Sequence, residues 1–322
     1  MSEVFIISGC RTAIGNFQGQ FDKFSAAELG AVAISEAVTR AQLSPQDVDQ
    51  VVMGQVLTAG QGQNPARQAA VKSQIPFTSP AYTVNMMCGS GLKAVALGYQ
   101  AIRSGDCNIV IGRGCRLGPL NLCDTLLTDG LTDVFNNVHM GNTALGEKYG
   151  ISREAQDEYA CRSQNKAEGA IKNNFFDKEI VGVPEKRTGK VLDKDEFPRF
   201  GTTVETLTKL RPCFDPSGSV TAGNASGIND GAAAVLLCSE QTVNKKGLKP
   251  MAKILGFAEV GVEPLCMGTG PIGAVLNVLK KVGWSKEEVD LYELNEAFAV
   301  QSIVVNESLG LDPAKINITG AQ

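Results

Sequence analysis

The sequence predicts an α/β protein whose first part is a mainly parallel sheet with helices on its faces. Three observations carry this expectation. Apolar runs of strand length alternate with helix-length stretches in the early part of the chain, as they do in parallel α/β architectures. A pattern from near the start, Gln42 to Asp49 followed by QVVMGQV, recurs as Gly283 to Asp290 followed by LYELNEAF. Such a repeat points to two similar halves, each building one sheet. Between the copies, from Cys115 to about Pro250, polar and turn residues dominate. So large an excursion is more often functional than slack connection.

Taken in order, Val4 to Ser8 is the first strand, and the turn-rich run Gly9 to Gly15 follows it. Ser25 and Glu28 make an S-x-x-E capping box before the helix AELGAVAISEAVTRA. Ser44 and Asp47 repeat that cap shape, and Gln50 to Val56 is the second strand. Asn64 followed by Pro65 reads as an N-cap with proline at the first helical position, opening a short helix through Lys72. Tyr82 to Asn85, Asn108 to Gly112 and Ala232 to Leu237 are further strand-like runs. Within the excursion, SREAQDEYACRSQNKAEGAIKNN is helical and its flanks are loop-like. The expected organisation is 1–114 as a first half, 115–231 as an inserted loop domain, 232–250 as a return to the first half, and 251–322 as a second half.

The stretch Ala81 to Ile111 organises the rest. Its β-prone run leads through Met86 and Met87 into Cys88, then Gly89, Ser90 and Gly91, then an amphipathic helix. Leu92, Val95, Ala96, Tyr99 and Ile102 follow the three/four spacing of one helix face, and Gly105 is the stop. Cys88 therefore sits where a strand turns into a helix N-terminus. Small residues allow a sharp turn and close approach to a ligand, and a helix N-terminus favours a thiolate. That is the placement expected of a nucleophilic cysteine. A buried structural role is the commoner fate of a free cysteine.

Composition narrows the function classes. At 322 residues the chain can bury a large core. With 43% hydrophobic and 20% charged residues it resembles ordinary globular proteins. A net charge of −4 argues against nucleic acid or an anionic membrane as the main partner. No long uninterrupted apolar run predicts a membrane span. The start, MSEVFIISG, lacks the features of a signal or transit peptide, so the expected location is the cytoplasm. Nine cysteines without a CxxC pair read as reduced and mostly buried, and a single histidine leaves a zinc site short of ligands.

A series of segments resembles the thiolases, in their acetyl-CoA C-acetyltransferase branch. They are Arg11-Thr12-Ala13-Ile14-Gly15, GQNPARQA from Gly62, NMMCGSG from Asn85, His139-Met140-Gly141, DEFPR from Asp195, NASGINDG from Asn224 and NEAFA from Asn295. The resemblance implies a five-layered αβαβα sandwich of two similar halves with an inserted loop domain. It implies CoA thioesters as substrates, acetyl-CoA and acetoacetyl-CoA, with no permanently bound cofactor. It also implies a homodimer or homotetramer. Cys88 would be the nucleophile, and Asn295 would position a water in an oxyanion hole. As a residue ahead of a helix, Asn295 also reads as a cap. Leu131, Arg199, Ala222 and Ser226 fall where the family contacts CoA. His139 and Met140 match the short-chain branch, with His139 on the pantetheine arm and Met140 narrowing the acyl pocket. Met267 and Phe298 match residues that wall that pocket, though both equally suit plain core. A longer-chain 3-ketoacyl-CoA thiolase on the same fold is the alternative reading.

Two departures accompany the resemblance. The family's Gly-His-Pro and Cys-x-Gly-Gly segments, which carry an activating histidine and a proton-shuttling cysteine, do not occur in this sequence. After Ile111 the family's Gly-Gly-x-Glu-x-Met-Ser run is replaced by Gly112-Arg113-Gly114-Cys115-Arg116 and a shortened path to Asp129-Gly130-Leu131. The expectation is an incomplete second half. For the chain as written it is little turnover, or the role of a catalytically impaired CoA-binding fragment.

Overall fold

A computed structural model describes residues 2–116, 126–142, 148–185 and 187–320. Most of the shortened path after Arg116 lies outside these residues, as do the last two positions of the sequence. The chain forms two compact units. The first comprises Met1–Gly130, Asp177–Glu196 and Ile228–Ile254, and the second Leu131–Phe176, Phe197–Gly227 and Leu255–Gln322. No described helix is long and apolar enough to cross a membrane.

The first unit is built on one seven-stranded sheet. Its strands are β1 (Val4–Thr12), β2 (Gln50–Gln55), β3 (Ala81–Val84), β4 (Ile109–Arg116), β5 (Ile180–Val181), β6 (Gly231–Ser239) and β7 (Ala252–Lys253). The order is β7-β1-β6-β4-β2-β3, with β5 also pairing with β1. β2 runs parallel to β3 and β4, as the strand–helix alternation predicts. β6 lies antiparallel to both β1 and β4, so the sheet is mixed rather than mainly parallel. The reason is topological. β6 arrives after the long excursion and enters between β1 and β4 running against both, a pairing that needs no crossover on the face of this sheet.

Strand alternation divides the core in two. Val51, Met53, Ile109, Ile111, Leu236 and Cys238 point to one face, against helices α1 (Ala26–Arg40) and α2 (Pro65–Lys72). Val52, Val110 and Leu237 point to the other, against α3 (Ser90–Ser104). Period-two alternation places neighbouring apolar residues on opposite faces, and both faces are covered. The caps form as the sequence predicts. Ser25 and Glu28 close a capping box at α1, Asn64 caps α2 with its side chain on the Arg67 N–H, and Gly105 ends α3 in the left-handed region at φ 89°.

The repeated pattern folds alike in both places. Ser44 with Asp47, and Ser285 with Glu288, each close a capping box on a single 3₁₀ turn, and each turn ends on an extended valine. The copies then diverge. The first leads into β2, which is paired on both sides and whose Val51 to Met53 are completely buried. The second leads to Leu291, 54% exposed, and to a single parallel bridge between Tyr292 and Ile316. One bridge is all the pairing this copy makes, so among the described residues it adds no strand to a ladder.

The second unit is mainly helical. It contains α4 (Arg153–Lys172), α5 (Gly270–Val282) and α6 (Ala299–Leu309), and a short hairpin pairing Thr132–Asp133 with Val138–His139. A small core joins Ala160, Cys161, Leu207 and Ala299.

Candidate active site

In the first unit, Cys88 stands on a tight elbow between β3 and α3. Met87, just before it, has φ 48°, a left-handed conformation that costs a non-glycine residue about 1–2 kcal/mol. Local hydrogen bonds hold it there. Asn85 Oδ1 accepts from the Met87 N–H at 2.9 Å, and the Gly89 N–H donates to the Met86 carbonyl at 3.0 Å. The Ser90 hydroxyl donates to the Met87 carbonyl at 2.6 Å and accepts from the Met86 N–H at 2.9 Å. Asn85 also ties the elbow to the end of β2 through its Nδ2–H on the Val56 carbonyl, 3.1 Å. Below the elbow, Gly54 of β2 meets the backbone of Ser90 so closely that a Cβ there would overlap the Ser90 carbonyl. The sheet and the first turn of α3 thus approach through glycine.

The result is an exposed thiol. Cys10, Cys107, Cys161 and Cys238 are buried, whereas Cys88 is exposed. Cys213 is exposed too, but it lies in a loop and not at a helix start. Burial pushes the Cys238 thiol up to about 12, which marks it as inert.

The remaining sequence-predicted residues belong to the second unit. The loop from Thr221 to Gly227 is laced to the segment before α6. The Ser226 N–H donates to the Ala297 carbonyl at 3.0 Å, the Ala299 N–H to the Asn224 carbonyl at 2.9 Å, and Ala225 bridges to Phe298. Ala222, Ser226 and Asn295 are exposed on this assembly. The helix's N-cap is Phe298, so Asn295 does not cap it. Phe298 packs edge-on against Phe214, with ring centroids 6.3 Å apart, and Phe214 stacks on His139 at 4.3 Å. His139 pairs with Thr132 across the hairpin, next to Leu131, and Met140 follows it. Nδ1 of His139 accepts the Gly141 N–H at 3.0 Å, which leaves Nε2 as the donor of the neutral ring. Burial lowers the imidazole pKa.

Met267 lies in the 3₁₀ turn Pro264–Thr269, which packs against α6. Arg199 is exposed on a separate strap bound to α4, where its N–H donates to Gln164 Oε1 at 2.9 Å and the Gly201 N–H donates to Glu168 at 2.7 Å.

Several supporting residues escaped the sequence reading. Phe214 links His139 to Phe298 but sits in an unremarkable turn sequence. Asp157 is fully buried and accepts from Arg153 at 2.7 Å and from Asn224 Nδ2 at 2.9 Å. Asn224 Oδ1 in turn accepts the Thr221 N–H at 2.8 Å. Asn224 and Glu296 are letters of the recognised motifs, yet their partners Asp157, Tyr159 and Ser163 lie far away in the chain and leave no local signal.

The fold and these segments together define the class. Residues 4–118 and 113–241 match the family described as Thiolase, N-terminal domain, and residues 248–322 match Thiolase, C-terminal domain. The chain belongs to the thiolase family. It is 48% identical over 339 residues to the acetyl-CoA acetyltransferase of Allochromatium vinosum, an alignment covering 98% of this chain and 86% of that protein. It is likewise 48% identical over 339 residues to the cytosolic acetyl-CoA acetyltransferase of Mus musculus, covering 98% of this chain and 85% of that protein. The crystal structure of the Bacillus anthracis acetyl-CoA acetyltransferase matches with a TM-score of 0.95 at 39% identity, over 100% of this chain and 86% of that one. The thiolase fold expected from the motifs is the fold found.

Proposed function

We propose that this chain is an acyltransferase that joins two molecules of acetyl-CoA into acetoacetyl-CoA and CoA, and catalyses the reverse thiolysis. The exposed Cys88 at a strand-to-helix elbow carries this reading, in a chain whose relatives bear the name acetyl-CoA acetyltransferase. The Cys88 thiolate attacks the thioester carbonyl, a new C–S bond forms, and CoA leaves as a thiolate that takes up a proton. A second acetyl-CoA then loses an α-proton to solvent, which restores the proton that the departing CoA took up. Its carbanion attacks the acetyl-cysteine carbonyl, a C–C bond forms, and the Cys88 thiolate is released. Two steps through a covalent thioester are each easier than one direct transfer.

Asn295 positions the water that meets charge on the thioester oxygen. Ser226 and the Nε2–H of His139 hold the pantetheine arm, while Leu131, Ala222 and Arg199 contact the rest of CoA. Met140, Met267 and Phe298 wall a short acyl pocket, which favours the acetyl group over longer chains. In this reading the inserted segment 115–231 supplies most of the CoA-binding residues, and no resident cofactor is needed. The protein acts in the cytosol, as the name of the mouse relative supports. It works as a homodimer or homotetramer, supported by exposed Met86, Met87 and Leu92 beside the elbow.

Incubation with acetyl-CoA radiolabelled in the acetyl group tests the assignment. The label is expected on the peptide containing Cys88, and Cys88→Ser should take up none. Label on another peptide, or undiminished labelling of the variant, overturns the nucleophile.

A further inference from the structure

The segment bearing Asn295 is clamped on both sides by a polar cluster in which Asn317 is buried and Glu296, Tyr159 and Ser163 are half-buried. On one side, Asn317 accepts the Leu294 N–H with its Oδ1 and donates to the Leu294 carbonyl with its Nδ2, both at 2.8 Å. On the other, the Glu296 carboxylate takes three donors: the Tyr159 hydroxyl at 2.9 Å, the Ser163 hydroxyl at 2.6 Å and Asn317 Nδ2 at 2.7 Å. Tyr159 and Ser163 lie four residues apart on one face of α4. Asn317 is buried and held at φ 43°, and the backbone beside it is pinned to Tyr292 in both directions, Tyr292 N–H to Lys315 and Asn317 N–H to Tyr292. The Asn295 side chain, by contrast, is exposed. The residues before and after it are fixed, and its own amide is left for a ligand.

We infer that Glu296, Asn317, Tyr159 and Ser163 are positioning residues that hold Asn295 in register for its oxyanion role. The inference rests on the acyltransferase reading for that role, but the clamp itself is a property of the second unit. The physical ground is that a half-buried carboxylate receiving three hydrogen bonds has one arrangement that satisfies all of them. Moving Asn295 requires breaking that set. Misplacing a catalytic group by about 1 Å can cost roughly 10²-fold in rate, so a cluster of this kind has kinetic consequences without touching substrate.

The test reads the clamp without relying on turnover. In the full chain, the backbone order parameter of Asn295 is measured by ¹⁵N relaxation. The wild type is expected near the rigid value of about 0.85, with Glu296→Ala and Asn317→Ala falling toward about 0.6. Tyr159→Phe, which removes one donor of three, should fall less. A wild-type value already below about 0.6, or unchanged values in both alanine variants, overturns the inference. Kinetics give a second readout. Glu296→Gln turns one acceptor oxygen into a donor and should lower kcat for acetoacetyl-CoA thiolysis about 10- to 100-fold at near-constant KM. Combined with Asn295→Ala it should add no further loss, and full additivity counts against the clamp. A chain that shows the rigid segment but never acetylates refutes the acyltransferase reading and leaves the clamp standing.

Discussion

At His139, burial lowers the imidazole pKa below its ordinary value of 6.5, and the Gly141 N–H occupies Nδ1. The unfolded chain takes up that proton near 6.5, while the folded chain does so only at lower pH. Between the two values the unfolded state binds more protons, so stability falls as pH drops. The contribution of neutral His139 is therefore complete above the ordinary value and is lost as pH falls through the folded one. This is the only histidine in the chain, which isolates its titration. Lowering the pH from about 7.5 to about 5.5 should reduce the urea midpoint of the wild type more than that of His139→Gln. Equal reductions in the two proteins contradict this account. The same pH change should weaken CoA-thioester binding, because a protonated ring turns Nδ1 from acceptor into donor against the Gly141 N–H.

Elements position the site through close approaches that tolerate little change. The elbow depends on β2 and α3 meeting at Gly54, where a Cβ would overlap the Ser90 carbonyl. Gly54→Ala should destabilise the fold by about 1–3 kcal/mol, as overpacking does. It should also change the rate at which iodoacetamide alkylates Cys88, since Ser90 holds the turn on which that thiol stands. An unaltered urea midpoint together with an unaltered alkylation rate would show that the helix start relaxes freely. In the second unit the loop bearing Ser226 is anchored to α4 through Asn224 and Asp157. Asp157→Ala leaves Arg153 without its carboxylate and leaves Asn224 Nδ2 with only the Ser219 carbonyl as acceptor. Removing one partner of a buried ion pair costs roughly 3–5 kcal/mol. The lower end is expected here, because Arg153 is partly exposed and keeps its hydrogen bonds to the Leu207 and Leu210 carbonyls. Denaturant unfolding measures the loss, and an effect within about 0.5 kcal/mol would mean the anchor is dispensable.

For the whole molecule, the question is what covers the apolar surface beside the elbow. Met86 and Met87 are each about two-fifths exposed, and Leu92 in the first turn of α3 is 80% exposed. A large aliphatic side chain at that exposure, adjoining two others, is characteristic of a protein–protein contact. Sedimentation velocity should show a dimer or a larger assembly. Leu92→Glu should shift the distribution toward monomer without lowering the thermal midpoint of the monomer, because Leu92 contributes little to its own unit's core. A wild type that sediments as a monomer at high concentration removes the assembly from the proposed function.

Local order was already written in the chain. The capping boxes at Ser25 and Ser44, the Asn64–Pro65 helix start, the Gly105 stop and the strand-to-helix setting of Cys88 each depend on residues within a few positions of one another. Their hydrogen bonds close within one turn, so residue type and spacing suffice to specify them. The motif series likewise identified the family and with it the thiolase fold. Packing alone settled the rest. β6 enters between β1 and β4 from more than a hundred residues away, and that insertion made the sheet mixed. Asp157 reaches Asn224 across 67 residues, and Tyr159 reaches Glu296 across 137. Neither pair leaves a periodicity in the sequence, because what selects the partners is the cost of burying a polar group unpaired. The second copy of the repeat makes the same point. Its cap and turn formed as the first copy's did, yet it yielded one bridge instead of a strand, since a ladder requires neighbours that a local pattern cannot supply.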